Sequence, residues 1–229
     1  MGEKDGGIIE KCENYGYVQG KYYCGGIMGT AEGVTINECR NYETVGGTYW
    51  CGGILGWHET KDVNISNCLN NSKISTSSGA GGIVGRSSGV DWNSELVLNI
   101  KNCYNKGELN TVNQCGGIIG SQDSVVCKSG VVNIENCYNI AKSGSTKYGG
   151  IIGTVSVNDR TKTNITNTYY LSTIANSGII NGTYTGKIES KDETYMKSKT
   201  FVDLLNQNIG ENSEWKRWKQ GENGYPEFE

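Results

Sequence analysis

The chain has 229 residues, a formal net charge of −3 and a high glycine content of 34 residues. Frequent glycine and asparagine indicate many turns, so an ordinary helical enzyme is not expected. This net negative charge gives no indication of a basic surface that would bind nucleic acid or an acidic membrane. No apolar run approaches the roughly 18 residues of a membrane span.

The two termini carry no recognisable targeting signal. The first seven residues lack the charged-then-apolar build of a signal peptide, and the last six carry no anchor signal. We therefore expect the chain to be a fragment of a longer protein. Its nine cysteines leave at least one thiol unpaired within a monomer, and composition alone does not assign a cellular compartment.

Two short motifs alternate along the chain from its beginning to about residue 170. The first is Ile-x-x-Cys-x-Asn, with its cysteine at Cys12, Cys39, Cys68, Cys103 and Cys137. The second is Gly-Gly-Ile-x-Gly, which begins at Gly25, Gly52, Gly81, Gly116 and Gly149. A sixth copy of the first motif, at Ile165, has lost both the cysteine and the asparagine.

The spacing of these motifs predicts a parallel β-solenoid. From motif cysteine to double glycine the distance is 13 residues four times and 12 residues once, whereas the return distance varies from 7 to 15. Stacked strands must keep register, while a loop at one corner lengthens at little entropic cost. We therefore predict an all-β, parallel β-helix of five to six coils, with every insertion at one corner.

Alternating apolar residues indicate which side chains point inward. Val63 and Ile65 alternate as one strand, as do their counterparts in the other coils. The cysteine lies three positions after the isoleucine, so a bend is needed, and we place it at Asn67, Asn102, Asn136 and Asn167. The asparagine two residues after each cysteine is predicted to form a ladder of amides from coil to coil.

The glycine motif leaves two interpretations open. Its Ile and x positions are both apolar, which strict alternation does not explain. Either a corner lies between these positions, or the x residues form an outer apolar row that something covers. The x residues are Met28, Leu55, Val84, Ile119 and Ile152.

From about residue 190 the pattern changes. Apolar residues at spacings near three and four over residues 193–208 predict one amphipathic helix, and an aromatic tail with Trp215 and Trp218 follows. We divide the chain into a β-helix, residues 1–189, and a C-terminal cap, residues 190–229. The cap is expected to cover the unpaired terminal coil.

The repeated Gly-Gly-Ile-x-Gly and Ile-x-Asn-Cys-x-Asn motifs resemble the GLUG-motif repeats of bacterial surface proteins. Such repeats also occur upstream of the protease domain in IgA-specific metallopeptidases. The Phe201 helix, Trp215 and the closing Gly224-Tyr225-Pro226 look like the segment that often ends these arrays. The resemblance implies a right-handed β-helix on an exported, adhesion-type protein, and it transfers a fold better than a function.

Candidate catalytic residues are few. His58 begins a near match to the H-E-x-x-H zinc motif, but Asp62 replaces the second histidine and the chain has no other. His58 is interpreted as a plain residue of the variable corner. A β-helical polysaccharide lyase or glycoside hydrolase would use carboxylates at this corner, and the chain places there Asp62, Asp91, Asp123 and Asp159, with Arg160 nearby. The default interpretation of these residues is that they are solvated charges in loops.

The cysteines form two rows, with Cys24, Cys51 and Cys115 before the double glycines and Cys127 alone in a loop. Regular rows do not supply the clustered ligands of a metal site, so no metal or other cofactor is predicted. In-register Cβ vectors run parallel and somewhat too far apart for disulfides, which favours free, buried thiols.

Aromatic residues provide the candidate binding site. Tyr23 and Trp50 hold the same place in neighbouring coils, Tyr22 and Tyr49 hold the place before, and alternation sends Tyr23 and Trp50 outward. With Trp57 and Trp92 in the adjoining corners, they would stack on sugars or anchor a protein, unless they pack on one another or on further coils. Tyr104, Tyr138 and Tyr169 are predicted to form a stabilising ladder.

The sequence therefore predicts a non-enzymatic segment of an extracellular or cell-surface protein that presents corner loops to a glycan or a protein. Neither nucleic acid nor membrane insertion is expected, and no catalytic residue is assigned. A purely structural spacer and a carbohydrate-active enzyme are the alternatives.

Overall fold

The computed structural model describes residues 6–123, 126–156 and 160–229, excluding the side chains of Val90, Asp91, Trp92, Ser94 and Val126. It is a parallel β-solenoid of about five turns, which confirms the predicted fold class. Among the described residues, no helix is long and apolar enough to cross a membrane.

Each of coils 1 to 4 contains five strands, and coil 5 contains four. Coil 1 contains β1 (Gly7–Glu10), β2 (Glu13–Asn14), β3 (Val18–Gln19), β4 (Cys24–Gly25) and β5 (Met28–Ala31). Coil 2 contains β6 (Val34–Asn37), β7 (Arg40–Asn41), β8 (Val45–Gly47), β9 (Cys51–Gly52) and β10 (Leu55–His58). Coil 3 contains β11 (Val63–Ser66), β12 (Leu69–Asn70), β13 (Ile74–Thr76), β14 (Ala80–Gly81) and β15 (Val84–Ser87).

The later coils carry longer first strands. Coil 4 contains β16 (Val90–Lys101), β17 (Tyr104–Asn105), β18 (Leu109–Thr111), β19 (Cys115–Gly116) and β20 (Ile119–Gln122). Coil 5 contains β21 (Val126–Glu135), β22 (Tyr138–Asn139), β23 (Tyr148–Gly149) and β24 (Ile152–Val155). An incomplete coil 6 contains β25 (Thr161–Leu171) and β26 (Ile179–Asn181), and β27 (Thr185–Lys191) pairs with β25.

Equivalent strands of successive coils pair in parallel and in register. Ile36, Ile65 and Ile100, for example, lie directly above one another and are buried. Long first strands in coils 4 to 6 absorb the insertions at the variable corner, because the added residues extend β16, β21 and β25. The repeated part of each coil therefore keeps its register while the corner grows.

The predicted bend before each motif cysteine is confirmed. Asn67, Asn102 and Asn136 adopt left-handed backbone with φ near 50°, and Lys11 and Glu38 do so in the first two coils. Asparagine tolerates this conformation better than most residues. The bend turns the cysteine inward, where the thiol of Cys68 donates to the Ser66 carbonyl and accepts the amide N–H of Cys39.

The predicted amide ladder is also present. Its rungs are Nδ2-to-Oδ1 hydrogen bonds of 2.8–3.0 Å that join Asn14, Asn41, Asn70, Asn105 and Asn139 in sequence. The second glycine of the first four double glycines packs against this ladder, and that of the fifth, Gly150, packs against Tyr170. A Cβ on Gly82 would lie 2.3 Å from the Asn105 side chain and 2.1 Å from the Gly117 carbonyl oxygen. The close contact explains why the motif needs glycine there.

A corner lies between the Ile and x positions of the glycine motif, which settles the alternative left open by the sequence. Strand β9 ends at Gly52 and β10 begins at Leu55, so Ile54 occupies the turn. Ile54 and Leu55 are both fully buried in the central core. The outer apolar row does not form in coils 2 to 5, since the x residues there point inward.

The C-terminal segment, defined as residues 193–229, contains two helices and a hairpin: α1 (Glu193–Met196), α2 (Lys199–Ile209), β28 (Trp218–Gln220) and β29 (Pro226–Phe228). One helix over residues 193–208 was expected, but Ser198 divides it. Its backbone is extended, and its hydroxyl oxygen accepts the Phe201 N–H as an N-cap.

This segment packs along the side of the solenoid. Tyr104, Tyr138 and Tyr169 form the predicted row on that side, with the first two rings stacked 5.0 Å apart. Trp218, Phe228 and Phe201 cover the row. Further contacts reach coil 2, where the Lys216 ammonium lies 3.0 Å from Glu38. The segment therefore bridges several coils laterally, in contrast to the end-covering role expected from the sequence.

Candidate functional site

The first two coils expose a pair of stacked tyrosines. Tyr22 and Tyr49 lie one coil apart, with ring centroids 5.0 Å apart and an interplanar angle of 10°. The two residues remain 53% and 42% exposed. The Lys21 ammonium lies 5.1 Å from the Tyr22 centroid, within the range of a cation–π contact. The pair is a rigid aromatic surface because stacking fixes both rings.

Tyr23 and Trp57 pack against each other. Their centroids are 4.2 Å apart, and the Trp57 indole N–H donates to the Ser88 hydroxyl at 3.0 Å. Both rings are half-buried. The expected outward direction of Tyr23 is consistent with its buried neighbour Cys24, but Tyr23 also adopts left-handed backbone, with φ of 49°. One face of each ring is therefore occupied within the molecule.

Trp50 is held in a similar way. It too has positive φ, 34°, and its ring lies where a side chain on Gly79 would be: a Cβ there would come within 2.0 Å of the indole. The Arg86 guanidinium carbon lies 5.5 Å from the Trp50 centroid. Glycine at position 79 makes room for the ring, so the next coil helps to position Trp50.

Several predicted residues lie outside the described part of the structure. These are Asp159 and the side chains of Trp92 and Asp91. Arg160 is described and exposed, and it has interactions of its own.

The described corner carboxylates are not arranged as a catalytic pair. Asp123 receives hydrogen bonds from Arg86 Nε and Nη2, the latter at 2.8 Å, and from the Ser121 hydroxyl. This is a structural ion pair that also fixes Arg86 beside Trp50. Asp62 is exposed and lies two coils from Asp123 along the chain.

His58 is a buried structural residue at the end of β10, which corrects its interpretation as a plain corner residue. Its Nε2 lies 2.7 Å from the Lys61 carbonyl oxygen, so Nε2 carries the proton. Nδ1 then accepts from the Ser87 hydroxyl at 3.0 Å. Burial lowers the pKa of His58 below its ordinary value. With both nitrogens engaged, the ring is not positioned as a general base.

All nine cysteines are free thiols, and eight of them are buried. Cys127, expected in a loop, lies within β21 because the variable corner extends that strand. Burial raises the pKa of Cys115 to about 11. In the described residues, no group of three or more Cys, His, Asp or Glu side chains is arranged to hold a metal ion.

Sequence reasoning named Tyr22 and Tyr49 but assigned the site to Tyr23, Trp50, Trp57 and Trp92. The stacked pair had a signal, since both residues occupy the same place in adjacent coils. The sequence contains no signal for the contact of Arg86 with Trp50, because this contact joins different faces of neighbouring coils.

Comparisons with known proteins support the fold. No family model matches the chain, and no curated protein matches it. The chain is similar to a crystal structure described as "a putative immunoglobulin A1 protease from Bacteroides ovatus", with a TM-score of 0.54 and 20% sequence identity. The match covers 97% of this chain and 75% of that one. At this identity the likeness shows a shared fold alone.

Proposed function

We propose that this chain is a non-enzymatic segment of an exported bacterial surface protein, in which a rigid solenoid presents side chains to a glycan or protein ligand. Export and adhesion follow from the motif resemblance to surface-protein repeats. The fold-level likeness to an IgA1 protease-related chain is compatible with that origin. The stacked, exposed pair Tyr22 and Tyr49 carries the proposal.

The physical argument concerns conformational entropy. A ligand that binds mobile tyrosines must immobilise them. Tyr22 and Tyr49 are already held by stacking, by the hydrogen bond from the Tyr49 N–H to the Lys21 carbonyl, and by the paired strands β4 and β9 that follow them. Exposed, preorganised aromatic surface is the kind that carries binding energy in protein and carbohydrate recognition. Tyr23, Trp50 and Trp57 form the half-buried support beside it.

The test is a glycan array together with a host-protein array, comparing the wild-type chain with a Tyr22→Ser/Tyr49→Ser double variant. Serine is the residue that the chain itself uses at the equivalent position of coil 3, Ser78, so the variant is expected to fold. Tyr184→Ser is the matched control, because it removes another exposed tyrosine outside the pair. We expect binding that the double variant loses and the control keeps.

Other outcomes distinguish the alternatives. No binding at high protein concentration would favour a structural spacer. Release of sugar fragments from a bound polysaccharide would contradict the non-enzymatic assignment. An Asp123→Asn variant would then report whether that carboxylate takes part.

A further inference from the structure

A second candidate site lies where the C-terminal segment ends against the side of the solenoid. A cleft of about 240 Å³ opens there between coils 2 to 4 and strand β29. Leu69, Tyr104 and Phe228 provide apolar surface, while Arg40, Tyr42 and Lys106 supply polar groups. Its volume is below the range for drug-sized ligands, so the cleft suits one small, ring-sized molecule.

The charges around this cleft favour a single negative charge in the ligand. Arg40 and Lys106 line the cleft with one carboxylate, Glu227, while Glu13 lies outside the lining against Arg40, so the four charges balance. A ligand that displaces Glu13 from Arg40 leaves the lining with one positive charge in excess, which one negative charge in the ligand neutralises.

The two cations differ in how firmly they are engaged. The Lys106 ammonium lies 2.7 Å from Glu227, with its side chain only 17% exposed. The Arg40 Nη1 lies 3.4 Å from a Glu13 oxygen, and both of these side chains are more than one-third exposed. The long contact with Glu13 and an interaction with Tyr42 engage only part of a guanidinium group that has five N–H donors in a fixed fork. Arg40 is therefore the group able to donate hydrogen bonds to a ligand carboxylate.

We propose that this cleft binds a ligand of monosaccharide size that bears one carboxylate, either free or at the end of an acidic glycan. Arg40 holds the carboxylate through two parallel N–H···O bonds and gives up its contact with Glu13. One face of the Tyr42 ring is stacked on Tyr15, so the body of the ligand lies against its other side, next to Phe228. Asn71, at the rim, provides an amide for a hydroxyl group.

The test is an NMR titration of the full chain with D-glucuronate, with D-glucose as the neutral ligand of the same size. We expect chemical-shift changes for glucuronate at coils 2 to 4 and none for glucose at the same concentrations. Arg40→Gln should weaken binding about tenfold or more, the cost of losing a charge-assisted contact. Arg40→Lys should bind glucuronate with an affinity between those of the wild type and Arg40→Gln, because lysine keeps the charge without the planar fork of N–H donors.

Glu13→Gln distinguishes a binding site from a structural ion pair. It removes the carboxylate that competes for Arg40, so glucuronate should bind severalfold more tightly. Lys128→Gln is the control, because Lys128 is an exposed lysine paired with Glu95 elsewhere on the surface. An absence of binding by both the wild type and Glu13→Gln would overturn the proposal, as would equal binding by Arg40→Gln.

An oligosaccharide with glucuronate at its non-reducing end separates the two ligand sources. Tighter binding than free glucuronate supports a glycan terminus, and equal or weaker binding supports the free acid. Because Tyr22 and Tyr49 take no part in these contacts, the Tyr22→Ser/Tyr49→Ser variant should bind glucuronate as the wild type does. The two proposals therefore fail independently.

Discussion

At the scale of single residues, buried asparagines hold neighbouring coils together. Asn105 is fully buried, accepts from Asn70, donates to Asn139 and caps the Gly107 amide. Asn105→Ala removes these bonds and leaves buried partners without them, so we expect a loss of about 2–4 kcal/mol in the free energy of unfolding. Urea unfolding followed by circular dichroism measures it.

Asn64→Ala is the matched control for that experiment. Asn64 belongs to a second, outward amide ladder, where its Oδ1 accepts from Asn99 at an exposed position. Water replaces the lost bond there, so the cost should stay below about 1 kcal/mol. Equal losses at the two positions would contradict the assignment of coil-to-coil stability to the buried ladder.

The single histidine provides a pH prediction. Because burial lowers the pKa of His58 in the folded state, the unfolded chain binds the proton more readily. Stability should therefore fall as the pH drops below about 6.5, with a slope of at most about 1.4 kcal/mol per pH unit. Urea midpoints between pH 7.5 and 5 measure it. His58→Gln should flatten this slope, and an unchanged slope would show that other groups cause it.

At the scale of elements, the C-terminal segment depends on a few aromatic contacts. Trp218 is buried, and its ring centroid lies 4.4 Å from that of Phe228. Its indole N–H donates to Asn102 Oδ1 at 2.8 Å. Trp218→Ala should cost about 3–5 kcal/mol. Hydrogen exchange should then rise in α2 and the β28–β29 hairpin, while the coil interiors stay protected. Faster exchange throughout the coils would show that the segment and solenoid unfold together.

The elements also show what the sequence predicts and what it does not. Strand rows, the bend at Asn67 and the amide ladder were predictable, because a repeat places equal residues in equal surroundings. The lateral position of α2 and the division at Ser198 were not. They depend on contacts between the C-terminal segment, which occurs once in the chain, and the row of outward-facing tyrosines. The repeat pattern therefore carries no information about where this segment packs. The packing of Tyr23 on Trp57 is one of the alternatives that the sequence left open, whereas the contacts of Trp50 with Gly79 and Arg86 join different coils and have no counterpart in the repeat.

At the scale of the whole molecule, burial is uneven along the axis. Coil 1 is the least buried part: Ile8 is 69% exposed, and Cys12 is the exposed member of an otherwise buried set of thiols. In a solenoid each coil contacts only its neighbours, so opening begins at the less stable end. We expect Cys12 to react first with a thiol reagent in the native protein.

The order of the later reactions is part of this prediction. Cys24 in coil 1 and Cys39 in coil 2 should follow slowly, and the remaining buried thiols should react only on unfolding. Mass spectrometry of alkylated peptides measures the order. Cys12→Ser should abolish the fast phase and leave the others unchanged. Simultaneous reaction of all thiols would contradict end-first opening.

The lateral C-terminal segment has a mechanical consequence. A chain pulled along the solenoid axis would peel a bare stack one coil at a time, since each coil is held only by the next. Lys216 contacts Glu38 in coil 2, Trp218 contacts Asn102 at the edge of coil 4, and Asn208 contacts Tyr169 in coil 6. These attachments connect coils 2 to 6 from the side. Tension should extend coil 1 at low force. Coils 2 to 6, which these attachments connect, should resist together and rupture in a single step at higher force.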